Sequence, residues 1–516
     1  MKPYFSKSVS GLSFKKNRCP VIQNSMRPTN LCLLLIAFFL FYQCALSQVP
    51  TTFIPSKLVV KDSVAQVRID KTYNQSIALI QNEEKYIKDY LKDIYTERKE
   101  YLKSAISGGE FLFDSFLQTY AQNVLDHILS KNPVLRKDML LLVSRNPMVN
   151  AYSLGDGIII IYSGLLERLD NEAQLAFILC HELAHDHKNH NSAKAIGNAK
   201  KYLDPEFQKK LKEVLQEQYM VKQKLTDLVK PGVLEDMRYS RDYEIEADTI
   251  GMRFFLNTDY APAAALEIME ILDNADKESD LSPIDIKEVF SSPSVPFRNG
   301  WTYYEPGSSL GVFEEEERTA DEDSLKTHPD TKIRAEKIQL VIPPNAKSGG
   351  QFFRQPETQF AHMKMASEGE IVELYLATGN VGRAIFLATQ MQKHWPHDTI
   401  YSNVTMAHAF AMLSNYQEKT SANKVMPLPS HFYDENYNRI ISFLWELKKS
   451  ETAGIAEVFL NRVPSSMTEH EHVLSAFVYQ AYISKQKESF IKYQTEFLKN
   501  FSKGKYNWQI RNLNLN

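Results

Sequence analysis

One pentapeptide constrains this chain more than any other feature, because it places two histidines and an acid on a predicted buried helix. Residues 181–185 read His-Glu-Leu-Ala-His. Residues at i and i+4 share one face of a helix, so His181 and His185 can meet one metal ion while Glu182 projects beside it. Unpaired imidazoles are costly in a core. The spacing therefore predicts a metal site; hydrogen-bonded core histidines are the alternative. Four apolar residues before the motif predict the burial: Leu175, Phe177, Ile178 and Leu179.

A catalytic zinc site needs a third protein ligand and one open position for water. The best donor segment is 240–248, which reads Ser-Arg-Asp-Tyr-Glu-Ile-Glu-Ala-Asp. Glu244 and Asp248 stand at i and i+4 of a predicted helix, so one can bind the metal while the other orients a ligand histidine. By spacing alone, Glu246 or His190 could equally be the third ligand.

Size and charge limit the classes of partner. At 516 residues the chain is long enough for two or three domains. It has 60 Lys+Arg against 63 Asp+Glu, a formal net charge of −3, and its basic residues do not gather in one long block. This balance gives no electrostatic reason to expect a nucleic acid partner.

The N-terminal residues resemble an export signal. An uncharged apolar run over 31–42 follows several basic residues, and Ala45 and Ser47 stand at the −3 and −1 positions of a cleavage site. The run is shorter than the roughly 20 residues of a membrane span. We therefore predict a signal peptide over 1–47 and an exported protein, periplasmic or associated with the cell envelope. The alternatives are an uncleaved membrane anchor, a lipid on Cys44 and translation from Met26.

Removal of this leader would leave Cys180 as the single cysteine, which excludes an intrachain disulfide in the mature chain. We interpret Cys180 as a small buried hydrophobic residue.

Hydrophobic periodicity predicts an α+β fold, mostly helical with a small sheet. Residues 150–157 read as a turn. The apolar strand 158–162 is interpreted as a sheet edge that receives an extended substrate, or alternatively as an internal core strand. Pro231 and Gly232 predict the end of a charged helix, and 281–327 reads as an irregular insertion, either a lid or a disordered segment. Other predicted elements are helices over 76–103, 116–130 and 233–256, a helix from about Asn171, and a strand over 139–143.

The last third carries a weak helical repeat. Four residues follow one another at intervals of 34 positions, and each is followed 13 positions later by a small or aromatic residue. This period resembles tetratricopeptide repeats; an unrelated helical tail is the alternative. The two series are Tyr375, Ala409, Phe443 and Phe477, and Ala388, Ala422, Ala456 and Phe490.

Taken together, the motifs resemble the HtpX and CaaX-prenyl-protease type of zinc endopeptidase, a branch of the gluzincins, over about residues 116–338. The chain departs from that family in a longer loop before His328 and in Leu-Gly-Asp-Gly at 154–157, where Pro-Gly-Gly is more typical. The matching positions are Asn150, Ala151, Tyr152, Gly157, Gly164, Leu165, Leu166, Glu172, 181–185, His190, Ser240, Arg241, Glu244, Ala247, Asp248, His328, Pro329 and Arg334.

The resemblance implies a Zn²⁺ ion held by His181, His185 and Glu244, with Glu182 as general base. The Glu of the family's ExxAD pattern falls on Glu244, which decides between the candidate third ligands. It also implies that Asp248 supports the site, and that His328 assists the oxyanion or covers the metal, with Arg334 bracing it. A helix-cap role before Pro329 is the alternative for His328.

The implied organisation is an N-terminal helical segment over 48–110, a zinc metallopeptidase domain over 111–345 and a tetratricopeptide-like domain over 346–516. Such two-part proteins, of the periplasmic BepA-like type, act on misfolded or envelope proteins. We therefore expect protein or peptide substrates, repeats that bind envelope proteins, and a membrane-peripheral location. Two alternatives are a latent protease that acts mainly as a chaperone-like binding protein and a metal-dependent hydrolase of non-peptide substrates.

Overall fold

Helices make up most of the chain in the computed structural model. It describes residues 52–216, 221–275, 282–303, 331–346, 349–418, 424–430 and 433–515. The predicted leader over 1–47, His328 and Ala422 lie outside these residues.

A three-stranded sheet lies at the centre of the first half. Its strands are β1 (Leu140–Ser144), β2 (Ala151–Gly155) and β3 (Ile158–Tyr162), in the order β1-β3-β2. β1 pairs with β3 in parallel, and β2 pairs with β3 antiparallel. The tight β2–β3 turn has positive φ at Gly155, Asp156 and Gly157, a conformation that glycine adopts without a steric penalty. The interpretation of 158–162 as a sheet edge is therefore wrong, and β2 forms that edge.

The side chains of β3 explain its central position. Ile159 and Ile161 enter the main hydrophobic core, whereas Ile158 and Ile160 enter a second cluster formed with the first two helices. Because successive residues of a strand point to opposite faces, a strand covered on both faces is apolar at every position.

Three helices of the first half begin at side-chain caps, provided by Asp62, Ser115 and Asn171. The helix that carries the pentapeptide is capped by Asn171, whose side chain accepts a hydrogen bond from the backbone N–H of Gln174. On this helix Cys180 is buried, as predicted, and burial raises the pKa of its thiol. The helices are α1 (Ser63–Leu79), α2 (Lys85–Ser107), α3 (Phe116–Lys131), α4 (Ser163–Arg168), α5 (Glu172–His187), α6 (His190–Tyr202), α7 (Pro205–Gln216), α8 (Val221–Leu256), α9 (Ala264–Asp273), α10 (Ile286–Phe290) and α11 (Thr331–Val341).

Helix α8 continues through Pro231, where we predicted its end. A proline inside a helix removes one hydrogen bond and costs about 3 kcal/mol. Packing offsets this cost, because α8 contacts α5, α7 and α11.

The second half of the chain is all helical. The described part of the predicted insertion packs into it: Phe290 stacks on Phe443 with ring centroids 4.7 Å apart, and Trp301 is fully buried against the same ring. The helices are α12 (Glu357–Ala377), α13 (Val381–His394), α14 (Ile400–Glu418), α15 (Glu435–Glu446), α16 (Lys449–Leu460), α17 (Glu471–Ile483), α18 (Lys487–Asn500) and α19 (Asn507–Arg511), with 3-10 turns at Asn299–Thr302 and Ser465–Glu469.

This architecture confirms the predicted α+β class, a helical domain with a small sheet followed by further helices. The domain boundaries and the tetratricopeptide assignment stay predictions. Within the described ranges, no helix combines the length and the hydropathy that a membrane crossing requires.

Candidate metal centre

The site forms where α5 crosses α8. Small residues allow the close approach: Ala247 is fully buried, and a side chain at Gly251 would lie 3.0 Å from the backbone N and Cα of His181. The crossing places the carboxylate of Glu244, two turns before Gly251, opposite the two histidines of the pentapeptide.

Three donor atoms meet at this crossing. His181 Nε2 lies 3.1 Å from His185 Nε2, and Glu244 oxygens lie 3.5 Å from His181 Nε2 and 3.4 Å from His185 Nε2. We call the ligand atoms of His181, His185 and Glu244, one from each residue, the donor triangle. Bonds of about 2.0–2.1 Å from a tetrahedral zinc ion separate its ligand atoms by about 3.3–3.4 Å. The triangle therefore fits zinc in both spacing and ligand type. Among the residues that the structure describes, no other group of three or more His, Cys, Asp or Glu has its ligand atoms within 4.8 Å of one another.

Asp248 supports His181 from behind. Its Oδ1 lies 2.9 Å from His181 Nδ1, and Arg334 donates two hydrogen bonds to its carboxylate, at 2.7 and 2.8 Å. Burial alone would raise the pKa of Asp248, but Arg334 and His181 lower it, so the carboxylate stays ionised. Burial disfavours the charged form of His181, yet Asp248 and Glu244 raise its pKa to about 10. The two carboxylates thus favour a positive charge at this position.

The predicted site residues divide into two groups. The structure brings His181, His185, Glu182, Glu244, Asp248 and Arg334 together. His190 and Glu246, the other candidates for third ligand, lie behind His185 and outside the donor triangle. Arg334 pairs with Asp248, and the predicted role of His328 stays a prediction because that residue is not among those described.

Glu182 projects beside the donor triangle and is held by the sheet. Its Oε2 accepts a hydrogen bond of 2.6 Å from the backbone N–H of Ser153 on β2. Burial raises the pKa of Glu182, an effect that His181 and His185 oppose. A carboxylate with a raised pKa is a stronger base than one in water.

A cavity of about 350 Å³ opens over the donor triangle. Its lining includes residues of β2, the edge strand, and the apolar side chains of Phe177, Ile178, Met269 and Leu272. Glu182 and Arg334 contribute to the polar part of the lining. The arrangement can accommodate an extended chain between a strand edge and an apolar surface.

Two supporting residues were missed from the sequence. Asp186 accepts a 2.6 Å hydrogen bond from the N–H of Gly157, and Asn191 donates a 2.8 Å hydrogen bond to the carbonyl oxygen of Ser153. Both hold the β2–β3 hairpin against α5 and α6. Asp186 stands at i+4 from Glu182, so helical spacing could have assigned the two carboxylates to one face.

Comparison with known proteins agrees with this geometry. The sequence profile described as "Peptidase family M48" matches residues 117–341. Mitochondrial metalloendopeptidase OMA1 of Arabidopsis thaliana is 30% identical over 133 residues, which is 25% of this chain and 25% of that protein. The beta-barrel assembly-enhancing protease of Yersinia pestis is 23% identical over 90 residues, 17% of this chain and 18% of that protein. The chain thus spans a quarter or less of these curated relatives. Residues 117–341, which contain the donor triangle and its supports, are similar to the metallopeptidases of family M48.

Proposed function

We propose that this protein is a zinc-dependent metalloendopeptidase. The observation that carries the proposal is the donor triangle of His181, His185 and Glu244, which opens into a cavity with Glu182 at its side. Three protein ligands and an open fourth position are typical of catalytic zinc, whereas structural zinc is usually enclosed by four protein ligands.

The roles of the residues follow from their positions. A bound zinc ion would lower the pKa of a water molecule and polarise the scissile carbonyl group. Glu182 accepts a proton from the attacking water and passes it to the leaving amine. The Ser153 N–H fixes one carboxylate oxygen of Glu182, which orients the other toward the cavity. Asp248 keeps the ring of His181 in place.

The edge of β2 supports an extended peptide as the substrate. The backbone N–H of Tyr162 donates to the carbonyl oxygen of Asn150, so these two residues form a hydrogen-bonded pair. Hydrogen-bonded and non-hydrogen-bonded pairs alternate along antiparallel strands. Ala151 and Ser153 therefore direct their N–H and C=O groups away from β3. The amide of Ser153 is used by Glu182, and its carbonyl oxygen by Asn191. Ala151 thus presents its N–H and C=O to a substrate strand, which is how sheet edges bind peptides without reading their sequence.

The cellular role is proposed on weaker similarity. We infer export to the periplasm or cell envelope, from the apolar run at 31–42 and the small residues after it, and misfolded or envelope proteins as substrates. The name of the Yersinia pestis relative, a beta-barrel assembly-enhancing protease, is compatible with this setting. We also propose that the C-terminal helices bind such proteins and that the protein associates peripherally with the membrane.

The test is casein cleavage by the chain from Gln48 onward, with zinc content measured on the same sample. We expect about one zinc per chain, and a loss of about 10²–10⁴-fold in rate for Glu182→Gln with zinc retained. Glu213→Gln, an exposed change on α7, is the matched control and is expected to leave the rate unchanged.

Bound zinc without cleavage by the unaltered chain would favour a latent, chaperone-like binding protein. Cleavage of ester substrates but not of casein would favour a hydrolase of non-peptide substrates. A chain that binds no zinc would exclude the proposed site.

A further inference from the structure

A chain of side-chain contacts leads away from His185 on the side opposite the donor triangle. His185 Nδ1 lies 3.0 Å from His190 Nδ1, and His190 Nε2 lies 3.2 Å from Glu246 Oε2. Glu246 also forms an ion pair of 2.8 Å with Lys188. We propose that His190 is a positioning residue that fixes the tautomer and ring orientation of His185 for metal binding. This inference rests on the metal site of the proposed function.

The proton positions along this chain follow from the contacts. His185 Nε2 belongs to the donor triangle, and a nitrogen that binds a metal carries no proton. With a metal bound, the ring proton of His185 would therefore be on Nδ1 and would be donated to Nδ1 of His190. His190 must then carry its proton on Nε2, which faces the carboxylate of Glu246. Glu246 selects the tautomer of His190, and His190 in turn selects the tautomer of His185.

The backbone and the packing of His190 hold it in this position. Asn189, which joins α5 to α6, has φ +56°, a left-handed conformation that asparagine tolerates better than most residues. This turn brings the first residue of α6 back onto His185. The His190 ring is buried and stacks on Tyr243, with centroids 4.5 Å apart and an interplanar angle of 18°.

The two ligand histidines are therefore supported differently. His181 faces Asp248, a buried carboxylate that is fixed by Arg334. His185 faces the imidazole of His190, which in turn contacts the partly exposed carboxylate of Glu246. Partners that hydrogen-bond a ligand histidine typically change metal affinity by 10–100-fold.

Two substitutions separate positioning from packing. In His190→Phe the ring and its stacking on Tyr243 remain, but the hydrogen-bond acceptor is lost. In His190→Asn the stacking is lost, but an amide oxygen can occupy the place of Nδ1. Zinc affinity is measured by competition with a chelator on the mature chain. The absorption spectrum of the Co²⁺-loaded protein reports the ligand geometry, and the melting temperature of the metal-free protein reports packing.

We expect His190→Phe to weaken zinc binding by about 10–100-fold and to alter the Co²⁺ spectrum, while His190→Asn stays within about threefold of the unaltered protein. Glu246→Leu is expected to weaken binding more than Glu246→Gln, which keeps an acceptor oxygen. The reverse order of the two His190 variants, or unchanged affinity in both, would overturn the positioning role. Casein cleavage is measured separately. An unaltered chain that binds zinc but does not cleave casein contradicts the proposed function, whereas the affinity test of His190 stays valid.

Discussion

The crossing of α5 and α8 leaves no room for a side chain at Gly251, which packs against the helix that carries two of the proposed ligands. An added Cβ at Gly251 would lie 3.0 Å from the carbonyl oxygen of Cys180 and from the N and Cα of His181. All three are backbone atoms of a buried helix, so none can rotate away. Gly251→Ala must therefore move the two helices apart by a few tenths of an ångström.

The magnitude follows from this contact. Overpacking of a filled core costs about 1–3 kcal/mol, and ligand distances in metal sites are expected within about 0.2 Å of their usual values. Glu244 is on the helix that must move, and His181 and His185 are on the other. We therefore expect Gly251→Ala to weaken zinc binding by about tenfold or more, and to lower the free energy of unfolding of the metal-free protein.

Gly197 provides the matched control. It lies inside α6, it is exposed, and an added Cβ would meet nothing within 4 Å. Alanine is favoured over glycine in a helix by about 0.5–1 kcal/mol, and this advantage applies at both positions. The difference between Gly251→Ala and Gly197→Ala in urea unfolding thus isolates the close approach, and should be about 1–3 kcal/mol. Equal effects of the two substitutions on unfolding and on zinc affinity would refute the reasoning.

Three further perturbations test other parts of the molecule. The buried carboxylate of Glu172 accepts hydrogen bonds from two tyrosine hydroxyls, two backbone N–H groups and one side-chain amide. Glu172→Gln should therefore lower the free energy of unfolding, measured in urea, by about 2 kcal/mol, and an unchanged midpoint would contradict this. Burial, and then Glu368, raise the pKa of Glu167 to about 7, so ionisation destabilises the fold increasingly as the pH rises from about 4.5 to 7. Glu167→Gln should therefore stabilise the protein by roughly 2–3 kcal/mol at pH 8 and by much less at pH 5, as melting temperatures at the two pH values will show; an equal gain at both would exclude this cause. Asp248→Asn should weaken zinc binding by about 10–100-fold in chelator competition, because it removes the carboxylate behind His181, and an unaltered affinity would remove Asp248 from the site.

The sequence predicted the parts of the fold that depend on strong local patterns. Four consecutive isoleucines bounded by Gly157 and Gly164 predicted β3 to the residue. Asn171 marked the start of α5 because a side-chain cap is a local interaction, between residues three apart. The pentapeptide on α5 predicted the two imidazoles on one face for the same reason.

Interactions between distant segments were harder to predict. β2 was read as a turn because Ala-Tyr-Ser-Leu-Gly has no apolar run, and its extended form depends on pairing with β3 and on the hydrogen bond to Glu182. The interpretation of β3 as an edge failed because sequence does not show strand order. Pro231 was read as a stop because its local cost is evident in the sequence, whereas the packing that offsets this cost is not.

The contacts of α5 also show what a helix, rather than a loop, contributes to the site. Positions 181 and 185 face the donor triangle, while positions 182 and 186, offset by one residue, both accept backbone hydrogen bonds from the β2–β3 hairpin. The helix therefore fixes the distance between two ligands and, through the same backbone, the distance from those ligands to the edge strand that we propose for substrate binding. Glu182 has two functions, since its Oε2 accepts the hydrogen bond from β2 and its carboxylate borders the cavity. A displacement of the hairpin would then reorient the proposed base even with all three proposed metal ligands in place.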